Sequence, residues 1–210
     1  GGVTTSVHDE DGNLIRVYDA LGNPTAYTYD AAGRQTAMTN ARGFTTLYEH
    51  DGRNRLTKIT TPEGGVTRYT YDDGDRKRFQ TIENDRNGGN QVTEWRYDPL
   101  DRITDIVDAE GAVTHTAYGV TANVKTVTDP RQITTEFRYN SRGWLAEVVS
   151  PGGTKRQVYD GAGNLRFITN EVGGTVEFVY DKLNRRTRVI DELGHITITR
   201  YDAVGNITDV

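Results

Sequence analysis

The 210-residue sequence contains no cysteine and a single methionine. Without cysteine there is no disulfide framework and no thiolate metal site, and the redox state of the compartment is not written in the chain. No apolar run approaches the ~20 residues of a membrane-spanning helix, and no charged-then-apolar segment opens the chain as a secretory signal would. A surplus of positive charge is missing too. Twenty-five Lys and Arg stand against 30 Asp and Glu, for a net charge of -5, so the basic footprint of a nucleic-acid binder is absent. Apolar residues are scarce, at 34% of the chain, and the mean hydropathy is -0.69. That is lean for a sandwich or barrel with a full two-layer interior, and a thin core is expected. No segment reads as a helix, so a Gly-rich phosphate loop opening one is excluded as well.

What the chain does have is repetition. The stretch Tyr27–Thr36, "YTYDAAGRQT", has near-copies at Tyr69–Lys77, Trp95–Ile103, Phe178–Arg186 and Thr199–Ile207. Repeats are sought before any fold because missing them misassigns everything downstream. Taking the aromatic before the turn as an anchor gives His8, Tyr29, His50, Tyr71, Tyr97, Tyr118, Tyr139, Tyr159, Tyr180 and Tyr201. Seven of the nine steps between them are 21 residues, the others being 26 and 20, a regularity that chance does not produce.

Each repeat carries two punctuation marks. One residue after the anchor stands an Asp in eight of ten repeats, and four after it stand Gly12, Gly33, Asn54, Asp75, Asp101, Ala122, Gly143, Gly163, Asn184 and Gly205. Gly, Asn and Asp tolerate a left-handed backbone, and an Asp at the first corner can accept a backbone N–H. This column is the first turn, with Gly12, Gly33, Gly143, Gly163 and Gly205 as its glycines. A second turn follows with Asp19, Asn40, Thr61, Asp108, Asp129, Ser150, Asn170 or Asp191 eleven residues after the anchor and Gly22, Gly43, Gly64, Gly111, Gly153, Gly173 or Gly194 three later. Two turns in 21 residues leave two strands of ordinary length. One repeat is one β-hairpin.

Strand parity sorts the faces. Positions four, two and zero before the turn share one face, which reads as a Thr–aromatic–Tyr ladder; the other face carries pairs such as Glu94/Arg96 and Glu136/Arg138 and is wet. In the returning strand, apolar residues recur six and nine past the anchor, as in Leu56/Ile59 and Leu165/Ile168. An odd spacing cannot keep both on one face, so a bulge or the tail of the turn is expected between them. A lone hairpin is marginal in water, and the repeats are therefore expected to pair in chain order. The fold class is all-β: tandem β-hairpin repeats forming one continuous curled antiparallel sheet, a single array over residues 1–210. Curling follows because twist accumulates beyond ~10 strands. A β-propeller is the rival, with two repeats per blade.

The pattern Tyr-Asp, two residues, Gly or Asn, then Arg or Asn and an apolar residue, as in Tyr29–Gln35 and Tyr159–Leu165, resembles the RHS/YD repeat. The resemblance runs from about Val7 to Val210. It implies a hairpin strip wound into a hollow shell, as in insecticidal toxin complexes, Rhs effectors, wall-associated proteins and teneurins. The resemblance further implies a secreted or surface protein, with an enclosed toxin domain and the remaining repeats of a parent shell as partners. The opening "GGVTTSVHDEDGN" reads as mid-pattern, so a piece of something longer is expected.

Two departures stand out. The repeat at Tyr118 has Gly119 for Asp, Ala122 for the left-handed residue and Gln132 where the second turn wants Gly, and irregular turns are expected there. The repeat from Tyr71 to Tyr97 holds five extra residues around Glu83–Asn90, expected to project past the sheet edge. No catalytic, metal or cofactor site emerges: His8 and His50 occupy anchor slots, and His115 and His195 have no carboxylate at fixed spacing. The Asp column recurs at roughly 9 to 10 Å, two strands apart, which suits turn formers. Asp129-Pro130 lacks the rest of the family's self-cleaving segment, and Asn206–Thr208, a glycosylation triplet, coincides with the turn column. The expectation is inert shell wall, not an enzyme, with a surface adhesion or glycan-binding module as the alternative.

Overall fold

The computed structural model describes residues 3–83, 89–121 and 123–209. Among them there is no helix. The chain divides into two compact units, Gly1–Val113 and Thr114–Val210. The first holds β1 (Thr5–His8), β2 (Leu14–Tyr18), β3 (Pro24–Tyr29), β4 (Gln35–Thr39), β5 (Thr45–His50), β6 (Leu56–Thr60), β7 (Val66–Tyr71), β8 (Lys77–Glu83), β9 (Gln91–Tyr97) and β10 (Ile103–Val107). The second follows from β11 (Val113–Tyr118) through β12 (Val124–Thr128), β13 (Thr134–Tyr139), β14 (Leu145–Ser150), β15 (Gly153–Tyr159), β16 (Leu165–Thr169), β17 (Thr175–Tyr180) and β18 (Arg186–Ile190) to β19 (Ile196–Ile198), β20 (Arg200–Tyr201) and β21 (Ile207–Asp209). Nineteen strands belong to one open antiparallel sheet, and β20–β21 form a two-stranded one.

Within each unit every strand pairs antiparallel with its chain neighbours, β1 with β2 through β9 with β10, and β11 with β12 through β18 with β19. The break before β20 falls at Thr199, whose N–H still donates to the Thr187 carbonyl at 2.9 Å. No described side chain is fully buried. The sheet is therefore not one half of a sandwich over a dense core, and the low apolar content has its explanation.

The odd spacing in the returning strand is resolved by a bulge in every hairpin. Tyr29 pairs with Gln35 and Thr28 with Ala37, leaving Thr36 as the extra residue, and the same shift recurs in the other nine hairpins. The extra residue restores parity. The residues six and nine past the anchor thereby share a face with the anchor and the aromatic two before it, as the pairs Tyr48 with Ile59 and His50 with Leu56 illustrate.

Both turns have the same build. In the first, the Asp30 N–H donates to the Arg34 carbonyl at 2.9 Å and the Gly33 N–H returns to the Asp30 carbonyl at 3.0 Å. In the second, Asp19 and Gly22 repeat this with 3.0 Å to Asn23 and 2.9 Å. In the described first turns the fourth residue is left-handed: φ is 75° at Gly33, 78° at Gly143, 94° at Gly163 and 96° at Gly205, and it stays positive at Gly12, Asn54, Asp75, Asp101 and Asn184.

The irregular repeat at Tyr118 differs less than its composition suggests. Gln132 adopts φ 63°, and the Asp129 carboxylate accepts the N–H groups of Arg131 and Ile133 at 2.9 Å each. Those bonds hold a non-glycine residue left-handed, so this second turn is regular. Ala122 lies outside the described residues. The real exception is the 20-residue repeat, where Ser150 pairs directly with Gly153 across a two-residue Pro151-Gly152 loop. In the long repeat β8 and β9 run past the usual turn position, with Ile82 paired to Gln91. The connecting residues 84–88 lie outside the described residues.

Candidate functional site

All ten anchors are the last residue of the strand entering the first turn. Across that boundary lies the chemistry that joins one hairpin to the next. The hydroxyl of Tyr29 donates to the Leu14 carbonyl of the preceding repeat at 2.9 Å. Tyr71 does so to Leu56 at 2.7 Å, Tyr97 to Lys77 at 2.6 Å, Tyr180 to Leu165 at 2.9 Å and Tyr201 to Arg186 at 2.9 Å. A phenylalanine would fill the same space and leave that carbonyl without its donor. This bond gives the phenol its role at these five anchors.

The Asp after the anchor closes its own turn. Asp30 Oδ1 accepts from the N–H groups of Ala32 and Arg34 at 2.9 and 3.0 Å, and Oδ2 takes Arg34 Nε at 2.7 Å. Asp51, Asp72, Asp98 and Asp181 repeat the arrangement with Arg55, Arg76, Arg102 and Arg185. Hydrogen bonds to the charged form favour it. The Arg55 side chain and the backbone N–H groups beside it hold Asp51 down at about 2. The backbone N–H of Arg34 does most to keep Asp30 below the usual carboxylate range.

The same arginine then reaches forward. Arg34 Nη1 donates to the Asp51 carbonyl of the next repeat at 2.7 Å, Arg76 to that of Asp98 at 3.3 Å and Arg185 to that of Asp202 at 3.2 Å. Arg55 and Arg76 also meet the carboxylates of Asp75 and Asp101 at 2.6 and 2.7 Å. Their guanidinium planes cover the next anchor ring, Arg55 over Tyr71 at 4.5 Å, Arg76 over Tyr97 at 4.8 Å and Arg185 over Tyr201 at 4.7 Å, a favourable placement over the negative ring face. The role of this arginine is not visible within one repeat. The signal was a column five past the anchor that holds only Asn, Arg and, once, Trp.

That single departure, Trp144, rearranges its surroundings. Its ring takes the place of the guanidinium over Tyr159, 5.3 Å between centroids and tilted by 52°. Arg142 covers it at 5.1 Å and donates to the Gly161 carbonyl at 2.9 Å. The Tyr159 hydroxyl turns to Gln157 of its own strand at 2.7 Å.

On the opposite face, charges are paired both along and across strands. Arg138 meets Glu136 at 3.0 Å and Glu147 at 3.1 Å, Arg156 meets Glu147 at 3.1 Å, and Arg96 meets Glu94 at 2.9 Å. Of the histidines, His195 Nδ1 lies 2.8 Å from Asp191 within a second turn. No group of three or more His, Asp and Glu suited to a metal ion occurs among the described residues.

This tyrosine–aspartate–arginine grammar corresponds to a known family, the teneurin YD-shell, which matches residues 3–207. The chain belongs to the teneurin YD-shell family. Teneurin-3 of Danio rerio is 33% identical over 130 residues, 58% of this chain and 4% of that protein. Among solved structures, TcdB2-TccC3 without its hypervariable C-terminal region matches with a TM-score of 0.64 at 15% identity, over 96% of this chain and 13% of that one. The Photorhabdus luminescens Tc holotoxin pore matches at 0.62 and 14% identity, over 94% and 14%. The YD-shell chain thus spans a small part of the relatives it matches, and it shares the fold of these solved structures.

Proposed function

We propose that this YD-shell segment is inert wall material, one continuous array of ten hairpins in a secreted or surface protein shell that encloses or presents a toxin domain. The observation that carries the reading is where the specialised side chains go. The phenol of the anchor is directed at the preceding repeat, and the arginine five residues on at the following one. A catalyst gathers unlike groups at one place, whereas this chain distributes like groups over many rungs. The aspartates that look like candidate acids are closed into their own turns and kept ionised. The likeness of fold to TcdB2-TccC3, solved without its hypervariable C-terminal region, supports a shell role.

Limited proteolysis of the parent protein tests the reading. The domain that follows the array should resist protease until the hairpins are unfolded by denaturant. A following domain cut as fast within the parent as in isolation would refute enclosure.

A further inference from the structure

We infer that the two turn edges of residues 114–210 are complementary halves of a self-association surface, the first-turn edge of one copy receiving the second-turn edge of another. The inference deepens the wall reading and rests on it, since the second copy stands for any neighbouring stretch of the same repeat.

Turn tips are ordinarily polar. In the last hairpins of this unit they are apolar on both edges. Leu183 and Val204 occupy first-turn tips and are 69% and 82% exposed; Val172 and Leu193 occupy second-turn tips at 90% and 82%. Such exposure means that none of them stabilises its own hairpin. Each tip is nevertheless held by the carboxylate or amide of its turn, which accepts the tip N–H at 2.8 Å for Leu183, 3.0 Å for Val204, 3.1 Å for Val172 and 2.9 Å for Leu193. These are ordered apolar knobs, so little conformational freedom is left to lose on docking.

Three features select the opposite edge as the occupant. First, successive tips on either edge are two strands apart, roughly 9 to 10 Å, so the rows share one pitch and can interdigitate. Second, both rows are apolar. Third, the residues before the knobs differ in charge, with neutral Ala203 before Val204 on the first-turn edge. Lys182 precedes Leu183 on the first-turn edge, while Glu171 and Glu192 precede Val172 and Leu193 on the second. Glu171 pairs with Lys155 at 3.2 Å, and Glu192 takes the neutral amide of Asn170 at 2.6 Å. Pairing like edges would set Lys182 against itself or the glutamates against each other, whereas unlike edges bring Lys182 to Glu192. Like-charge juxtaposition is the usual device against a wrong partner. A contact between unlike edges does not close on itself, and association should be open-ended.

Sedimentation velocity on the purified chain over a wide concentration range, with thermal melts alongside, tests this. The sedimentation coefficient should rise with concentration, with no single end-point oligomer. Val172→Asp with Leu193→Asp, or Leu183→Asp with Val204→Asp, should each abolish the rise and leave the melt unchanged. Lys182→Glu should weaken association about tenfold, and adding Glu192→Lys should restore it. A chain that stays monomeric while keeping its melt would overturn the edge inference and leave the wall reading standing. Association that survives either double aspartate variant, or no rescue by the charge swap, would overturn it as well. Loss of the β-sheet spectrum at neutral pH would instead count against the wall reading itself.

Discussion

Gly163 and Gly143 hold the same position in successive repeats, and alanine at each should have different consequences. Both are left-handed, at φ 94° and 78°. A Cβ on Gly143 would meet nothing within 4 Å, whereas on Gly163 it would lie 3.1 Å from Trp144 Cζ2 and 3.3 Å from Cη2. Left-handed backbone disfavours a side chain by about 1–2 kcal/mol, and loss of glycine's freedom in the unfolded chain offsets roughly 0.4–1 kcal/mol of that. Gly143→Ala should therefore destabilise by about 1 kcal/mol. Gly163→Ala adds the overpacking of an indole wedged between Tyr159 and Arg142, about 1–3 kcal/mol, for a total of about 3 kcal/mol. At about 2–4 °C per kcal/mol for a chain of this size, the melts should fall by about 3 °C and about 9 °C. Circular dichroism melts and urea titrations of both variants, repeated in a Trp144→Asn background, read the difference. In that background the two alanines should become equivalent. If Gly163→Ala is no worse than Gly143→Ala, or if removing the indole leaves their difference intact, the Trp144–Gly163 contact does not constrain the turn.

Replacing the anchor phenol by phenylalanine should lower stability by about 1 kcal/mol at Tyr71 or Tyr180, where the hydroxyl reaches the preceding repeat, and by less at Tyr159, whose hydroxyl bonds Gln157 in its own strand; urea midpoints decide it. The first-turn aspartates have depressed folded-state values, so their contribution is fully present above the unfolded value of about 3.9 and is lost as pH falls through the folded one, about 2 for Asp51. Melting temperature should stay level from pH 7 to pH 5 and drop below about pH 4, and a drop already complete above about pH 5 would refute the role given to the aspartates. Tyr159→Ala should lower the melt while Glu136→Ala changes it little, exposed ion pairs contributing weakly. On a glycan array the unmodified chain should show no saturable binding; sugar retention lost in Tyr159→Ala without a change in melt would favour the adhesion reading.

The hairpin grammar was legible because turns and strand parity are local: Asp30, Gly33 and the period-two face can be assigned from ten residues. The bulge could be anticipated for the same reason, since Leu56 and Ile59 conflict in parity within one strand. Gln132 misled because composition points to glycine, while the Asp129 carboxylate supplies two hydrogen bonds that hold the left-handed backbone without one. The two-residue turn at Pro151-Gly152 hid behind Gly153, which falls in the expected column but begins a strand. The arginine column was part of the repeat pattern, but its role was hidden because its partners, the carbonyl of Asp51 for Arg34 and the ring of Tyr71 for Arg55, lie in the following repeat. Periodicity shows that a residue recurs, not what it reaches across the sheet.

The backward-reaching phenol and forward-reaching guanidinium have a bearing on how such chains grow. Where a repeat presents that acceptor to its successor and that donor to its predecessor, a duplicated or deleted 21-residue unit meets compatible neighbours on both sides. Length can therefore drift in heredity without redesign of any join. The Trp144–Gly163 pair is the exception, a lock and key split between adjacent units. A recombination point falling between them would separate an indole from the only residue small enough to face it, so crossovers in this lineage should avoid that join or carry both residues across together.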